Sequence, residues 1–435
     1  MKIISQITKN PFLRNSTVLF AGTMLVNVLN YLFHLVIGRM VSPIEYGEIE
    51  SLISLLTIIS VGAGTLTLIA TKHAARMKGG HDVVGTRNLA TYLNKQIVRF
   101  GLPLFVVMIL FTPLVKEFLN IETSTGIILL WGTMLISFLS AVIIGVLTGW
   151  QKFSEVNTVN ITSTVIKFFG AVGFIYMGLG SSGVVLGLLV AAGIGYLVSW
   201  CLLRRLTSRE GAESSAFSET PDAIARSVKE YLAPAFFGTL AVAIFGNADM
   251  IFAKHHLTGE VTGEYGALSV VAKTIFFVTG VVTTVLFAMS SEVSTTNRSK
   301  SAETFRFAVW LTTLVSGSSV LIFSLFPEAI VGLLFGEKYL AVSRLLGWFA
   351  LAAGLYSLAS LCMQYLLSLH ETKIVWYLLA LSSLEIGALA FFGVSLYAII
   401  GITILTQLGA LFLGIFYIIQ SHRYVQSHLD SRSSL

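Results

Sequence analysis

Apolar residues run along this chain in continuous blocks of roughly 18 to 25, separated by short polar connections. Each block is long enough, as a helix, to cross a hydrocarbon layer about 30 Å thick. The blocks do not alternate polar with apolar residues, as the strands of about ten residues in an outer-membrane barrel do. The pattern predicts twelve spanning helices, near residues 17–38, 48–70, 97–116, 125–149, 159–178, 182–203, 234–254, 267–290, 305–326, 341–367, 374–394 and 398–420.

Composition narrows the class. Hydrophobic residues make up 55% of the chain and charged residues only 11%, with a mean hydropathy of +0.83. Soluble domains carry about 25% charged residues, and a soluble helical core would need most of these helices to be apolar on every face. The expected fold is therefore an all-α polytopic membrane protein. Cys201 and Cys362 lie in apolar segments with no partner spacing and read as packing residues.

Charge placement orients the spans. Cytoplasmic loops hold the excess of Lys and Arg in a polytopic protein. Of the 28 Lys and Arg, only Arg39, Lys116, Lys254, Lys338 and Arg344 fall on the outer side when the N-terminus is inside, and only Lys167 and Lys273 fall within spans. Both termini are therefore expected in the cytoplasm of a multi-pass cell-membrane protein. The net charge of +6 follows from topology, and no nucleic acid is implied. Lys2, Lys9 and Arg14 precede the first block, which is too long for a signal-peptide core and is expected to remain as the first span.

One motif occurs twice. Glu45-Tyr46-Gly47 and Glu264-Tyr265-Gly266 are 219 residues apart, about half the chain. At the same offset Leu147–Lys152, ending the fourth span, aligns with Leu366–Glu371, ending the tenth. The polar connection 204–233 separates six spans from six, so the expected domains are 1–203, a cytoplasmic linker 204–233, 234–421 and a cytoplasmic tail 422–435. An even number of spans per half keeps both copies in one orientation, related by an axis along the membrane normal, as in duplicated transporters.

Four stretches carry a resemblance. Gly38-Arg39-Met40-Val41-Ser42-Pro43-Ile44-Glu45-Tyr46-Gly47 runs into an apolar helix. Thr148-Gly149-Trp150-Gln151-Lys152-Phe153, Asn247-Ala248-Asp249-Met250-Ile251 leading to Gly263–Gly266, and Leu334-Phe335-Gly336-Glu337-Lys338-Tyr339 follow in order. Together they resemble the polysaccharide and oligosaccharide flippases of the multidrug/oligosaccharidyl-lipid/polysaccharide exporter superfamily. The resemblance implies two pseudo-symmetric six-helix bundles, MATE-like, around a central cavity. It also implies movement of an undecaprenyl-diphosphate-linked oligosaccharide from the inner to the outer leaflet for cell-surface polysaccharide synthesis. Other polysaccharide-assembly proteins are conceivable partners, and no cofactor or metal is implied. The chain shows no obvious match to the cation-site residues of the drug-exporting branch.

Charged residues inside spans cost roughly 2.5 to 3.5 kcal/mol each on insertion scales and are functional candidates by default. Thr23, Asn27, Asn30 and His34 share one face of the first span, expected to line the cavity or to hydrogen-bond to a neighbouring helix. Asp249 lies 219 residues after Asn30 and reads as a proton or cation relay, as a carboxylate that tunes a neighbouring lysine or, the favoured expectation, as part of a structural or gating ion pair with Lys273 or Lys254. Lys273 is the first choice for holding a diphosphate as a point charge, Lys167 could do the same, and snorkelling to the nearer interface is open to both. Glu385 sits mid-span; pairing with Lys167 across the pseudo-axis and ordinary helix-packing contacts are both open to it. Arg39 ends the first span and reads as an interfacial anchor or a phosphate contact. Trp150, Trp200 and Trp310 read as interface aromatics. Gly183, Gly187, Ala191, Gly195 and Ser199 form a small-residue packing face.

The competing functions are a cation-coupled multidrug exporter and an integral-membrane glycan polymerase or ligase. Short outer loops without a Ser/His/Asp group or paired carboxylates weigh against an enzyme. There is no nucleotide-binding loop to hydrolyse ATP.

Overall fold

A computed structural model describes the backbone of residues 11–209, 221–294, 298–368 and 373–433, and side chains within 20–208, 236–280, 303–367 and 373–420. Part of the expected linker, residues 210–220, lies outside the described residues, as does His370 of the repeat that ends the tenth span. Among the described residues there is no strand. The helices are α1 (Pro11–Met40), α2 (Pro43–Ile59), α3 (Val61–Gly79), α4 (Val83–Phe118), α5 (Thr125–Gly149), α6 (Phe153–Tyr176), α7 (Gly180–Arg209), α8 (Pro221–His256), α9 (Gly259–Ser294), α10 (Arg298–Leu325), α11 (Pro327–Leu334), α12 (Leu346–Ser368), α13 (Ile374–Phe392) and α14 (Leu396–Ser433). Among the described residues twelve helical segments are long and apolar enough to cross a membrane, one at each expected place. The chain divides into two compact units, Met1–Phe236 and Phe237–Leu435.

The second span differs from expectation in being two helices. It runs from Pro43 to Gly79 and is interrupted at Ser60, whose N–H closes α2 on the carbonyls of Ile58 and Leu56. Its start is over-determined. Ser42 caps α2, accepting from the Glu45 N–H at 3.3 Å, while the Glu45 carboxylate accepts from the Ser42 N–H at 3.0 Å, a capping box with Pro43 in the first helical turn. The repeated Glu-Tyr-Gly motif in the first half is therefore in part a helix-start signal.

Within the first unit, α3 and α5 cross at backbone contact. Thr67 and Thr71 donate from α3 to the carbonyls of Ala141 and Gly145 at 3.1 Å each. A methyl group added at Gly145 would sit 2.5 Å from the Thr67 carbonyl oxygen, and one at Gly149 2.6 Å from that of Thr71. The small-residue face of α7 packs on α6: a methyl group at Gly187 would lie 2.7 Å from the Ala171 nitrogen, and one at Gly195 2.2 Å from the Ser163 hydroxyl. With no hydrophobic force between helices in lipid, such close approach supplies the packing.

Trp150 corrects its expected role. It is buried, not interfacial, and its indole N–H donates to the Thr86 hydroxyl at 3.1 Å. Thr86 in turn donates to the Asp82 carbonyl at 2.8 Å. Gln151 follows in a left-handed turn with φ 58° and accepts from Lys78 at 2.8 Å. The Thr148–Phe153 stretch, between α5 and α6, thus also ties to α3 and α4. Trp310, by contrast, is exposed as expected.

In the second unit α12 packs against α10 and α14, burying Leu361, Cys362, Tyr365 and Leu366. Leu110, Leu325 and Phe412 are among the large apolar side chains left outside, as a lipid-facing surface requires.

Gly145→Val should lower stability by about 1–3 kcal/mol through overpacking against α3. Gly173→Ala, at a position with nothing within 4 Å, should leave it unchanged. Thermal unfolding in detergent compares the two.

Candidate functional site

Each unit contains a polar cluster built from facing helices. In the first unit the polar face of α1 turns toward α2 and α6. Lys167 of α6 donates a hydrogen bond to the Asn30 side-chain oxygen, and its ammonium lies 4.4 Å from the centroid of the Phe33 ring. His34, one turn further along α1, pairs through Nδ1 with the Glu50 carboxylate of α2 at 2.5 Å. Glu50 is almost entirely buried, at 4% exposure. Next to it, Glu48 accepts from Ser181 of α7 at 2.8 Å.

Asn30 and His34 are therefore engaged with neighbouring helices, the second of the two roles expected for that face. Asn27 is half-buried on the same face, and Thr23 and Arg39 are exposed.

The second unit places different chemistry in its interior. The Asp249 carboxylate on α8 accepts from the Tyr265 hydroxyl on α9 at 2.7 Å. Tyr265 belongs to the second Glu-Tyr-Gly motif, and it is buried against Phe349 with ring centroids 4.8 Å apart. Glu385 on α13 is fully buried and accepts from Thr406 on α14 at 3.0 Å. Gln407, also on α14, donates its amide to the Phe245 carbonyl at 2.8 Å.

These bonds leave one buried oxygen on each of three side chains without a donor: Oδ1 of Asp249, Oε2 of Glu385 and Oε1 of Gln407. A buried acceptor without a donor costs about 1–3 kcal/mol. An interior holding two carboxylates and a spare amide oxygen suits a proton or a small hard cation.

The recorded partner of Asp249 is thus a phenol, where a lysine was expected. Lys273, one of the lysines expected to pair with it, stands half-buried on α9, and no hydrogen bond or ion pair reaches it among the described residues. Lys167 and Glu385 each meet partners inside their own unit. Among the described residues no group of His, Cys, Asp and Glu is arranged to hold a metal ion.

Sequence reasoning missed Glu50, Tyr265, Thr406 and Gln407. Glu50 was detectable as an acid within the second apolar block. Tyr265, Thr406 and Gln407 are neutral and gave no charge signal.

Residues 12–294, more than half the chain, match the family described as polysaccharide biosynthesis protein. The chain belongs to this family. No curated protein sequence matches it closely. Solved structures share its fold. An inward-facing multidrug resistance MATE transporter of the MOP superfamily superposes with a TM-score of 0.72 at 14% identity, over 94% of this chain and 98% of that one. The lipid II flippase MurJ, in an inward closed conformation, gives 0.71 at 16% identity over 94% and 87%. A MOP superfamily transporter from Pyrococcus furiosus, whose binding pocket is described as reversed in polarity, gives 0.56 at 14% over 93% and 94%. This polysaccharide biosynthesis family member is thus a twelve-span, MATE-like membrane protein.

Removing the donor to Asp249 should be costly. Tyr265→Phe leaves that carboxylate with no partner on either oxygen and should destabilise the protein by about 1–3 kcal/mol. Tyr176→Phe, at a tyrosine 82% exposed, should not, with thermal unfolding as the readout.

Proposed function

We propose that this protein flips a lipid-linked oligosaccharide, carried on a polyprenyl diphosphate, from the inner to the outer leaflet by alternating access. The observation that carries the reading is Lys273. A charge on a spanning helix is expensive and is normally paired, yet this ammonium has no partner among the described residues. A diphosphate bound as a point-charge contact would supply the missing anion. Family membership supports a glycan-related cargo.

Asn27, Asn30, His34 and Lys167 form a polar cluster of the first unit by itself, in which Asn30 and His34 are held by neighbouring helices. Arg39 stands at its outer end. Asp249 and Glu385 belong to the acceptor-rich interior of the second unit, which would bind the proton or cation whose gradient drives the cycle. The work is transport without covalent chemistry, in the cytoplasmic membrane, with both termini on the inner side.

A second reading is favoured by the fold match to a multidrug transporter and by the same acceptor cluster: cation-coupled export of amphipathic drugs. The two readings separate in proteoliposomes. The flippase account expects transbilayer movement of a diphosphate-linked polyprenyl glycan above the rate of empty vesicles. Lys273→Ala should cut that rate about tenfold or more, the worth of one charge contact of roughly 1.4 kcal/mol or more. Lys273→Arg should retain part of it. A lipid rate equal to that of empty vesicles, with dye expelled under an ion gradient, would establish the drug-export reading instead.

A further inference from the structure

The first unit holds three ionisable groups in one connected arrangement. His34 and Glu50 meet at 2.5 Å, and the imidazole stands edge-on to Phe33 with ring centroids 5.3 Å apart. The other contact of Phe33 is the Lys167 ammonium, 4.4 Å from its centroid, and that ammonium is held by Asn30 and lies within electrostatic reach of Glu50. One buried acid therefore serves two bases on two different helices.

The helices around Glu50 carry further titratable groups: Tyr31, His34 and Arg39 on α1, Glu45, Tyr46 and Glu48 on α2 itself, Lys72, His73, Arg76 and Lys78 on α3, and Lys167 in the middle of α6. Of these, His34 is the one in direct contact with Glu50 through a stated distance, and Lys167 is the one that meets the same α1 face one turn away. α5 contains no titratable side chain, and the part of α7 preceding Tyr196 contains none either, while the adjacent Glu48 is bonded to Ser181. With His34 neutral, Glu50 and Lys167 cancel and the arrangement carries no net charge. One added proton, on either member of the His34–Glu50 pair, leaves it at +1.

We infer that Glu50 is the internal counter-ion that masks Lys167, and that a proton entering the His34–Glu50 pair unmasks this lysine for a phosphate-bearing head group. Glu50 is then a positioning residue: it touches no substrate and sets how much of the charge on Lys167 is available. The inference rests on the diphosphate-lipid reading and adds to it. It places a proton-dependent anion contact in the first unit, separate from Lys273 in the second. It also gives the buried Glu50 a purpose that helix packing alone would meet with a neutral residue, since burying an ion pair is seldom favourable in itself.

The test uses the full chain in nanodiscs of zwitterionic lipid with farnesyl diphosphate as the probe. Wild-type affinity should be higher in acidic than in alkaline buffer, because a proton added to the His34–Glu50 pair cancels its negative charge. Glu50→Gln should bind about tenfold tighter than wild type at the higher pH, equivalent to one charge interaction, and should lose the pH dependence. Glu50→Asp, which keeps the charge, should restore the pH response. In a Lys167→Gln background, Glu50→Gln should change nothing.

Glu50→Gln with wild-type affinity and pH response, or with an undiminished effect when Lys167 is absent, would overturn the inference. If farnesyl diphosphate binds wild type at no pH, the diphosphate reading falls, and a substrate-free arm decides the rest. In 15N-histidine-labelled protein the His34 signals, identified by their loss in His34→Asn, should move in both Glu50→Gln and Lys167→Gln. Signals unmoved by Lys167→Gln would show that the two bases are not coupled.

Discussion

A polar atom in the hydrocarbon layer must find its partner inside the protein, because no water is there to supply one. This constraint organises both units. Threonines bond back onto their own helices or across to the next, as Thr67 does from α3 to α5. Lys167 is held by Asn30, His34 by Glu50 and Asp249 by Tyr265. Among the described residues the constraint is left unmet at several places, and the groups used in the proposed function are among them: the ammonium of Lys273, and the donorless oxygens of Asp249, Glu385 and Gln407.

The two halves use one scaffold for opposite chemistry. Asn30 and Asp249 sit 219 residues apart, at matched positions, and bind unlike partners. Asn30 steadies a lysine, whereas Asp249 takes a tyrosine hydroxyl and keeps its other oxygen without a donor. Among the described residues, the first unit's cluster joins Lys167 to Asn30 and His34 to Glu50, and the second leaves Oδ1 of Asp249 and Oε2 of Glu385 without a donor.

Most of the fold was legible because a membrane span is announced by length and apolarity, which local sequence contains in full. All twelve spans lie where the apolar blocks predict, while the break at Ser60 was missed because a serine in helical conformation leaves no mark on hydropathy. The site was only half legible. Lys167, Lys273, Asp249 and Glu385 stood out as charges inside apolar blocks, but their partners did not. Asp249 looked like half of an ion pair because lysines lay nearby in sequence, and the phenol that binds it comes from another helix, at a position readable only as part of a repeat. Trp150 misled for a related reason: an aromatic at a span end resembles an interfacial anchor until the helix packing that buries it is known.

The central claim is that Lys273 acts as a charge left open for the anionic head group, and replacing that charge chemically tests it most directly. In a variant with Cys201 and Cys362 replaced by Ser and Ala, Lys273→Cys should lose glycolipid flipping in proteoliposomes. Aminoethylation of the new thiol, which returns an ammonium to that position, should restore it, and methylthiolation of the same thiol should not. Restoration by the neutral reagent as well, or undiminished flipping by the unmodified cysteine variant, would contradict the account.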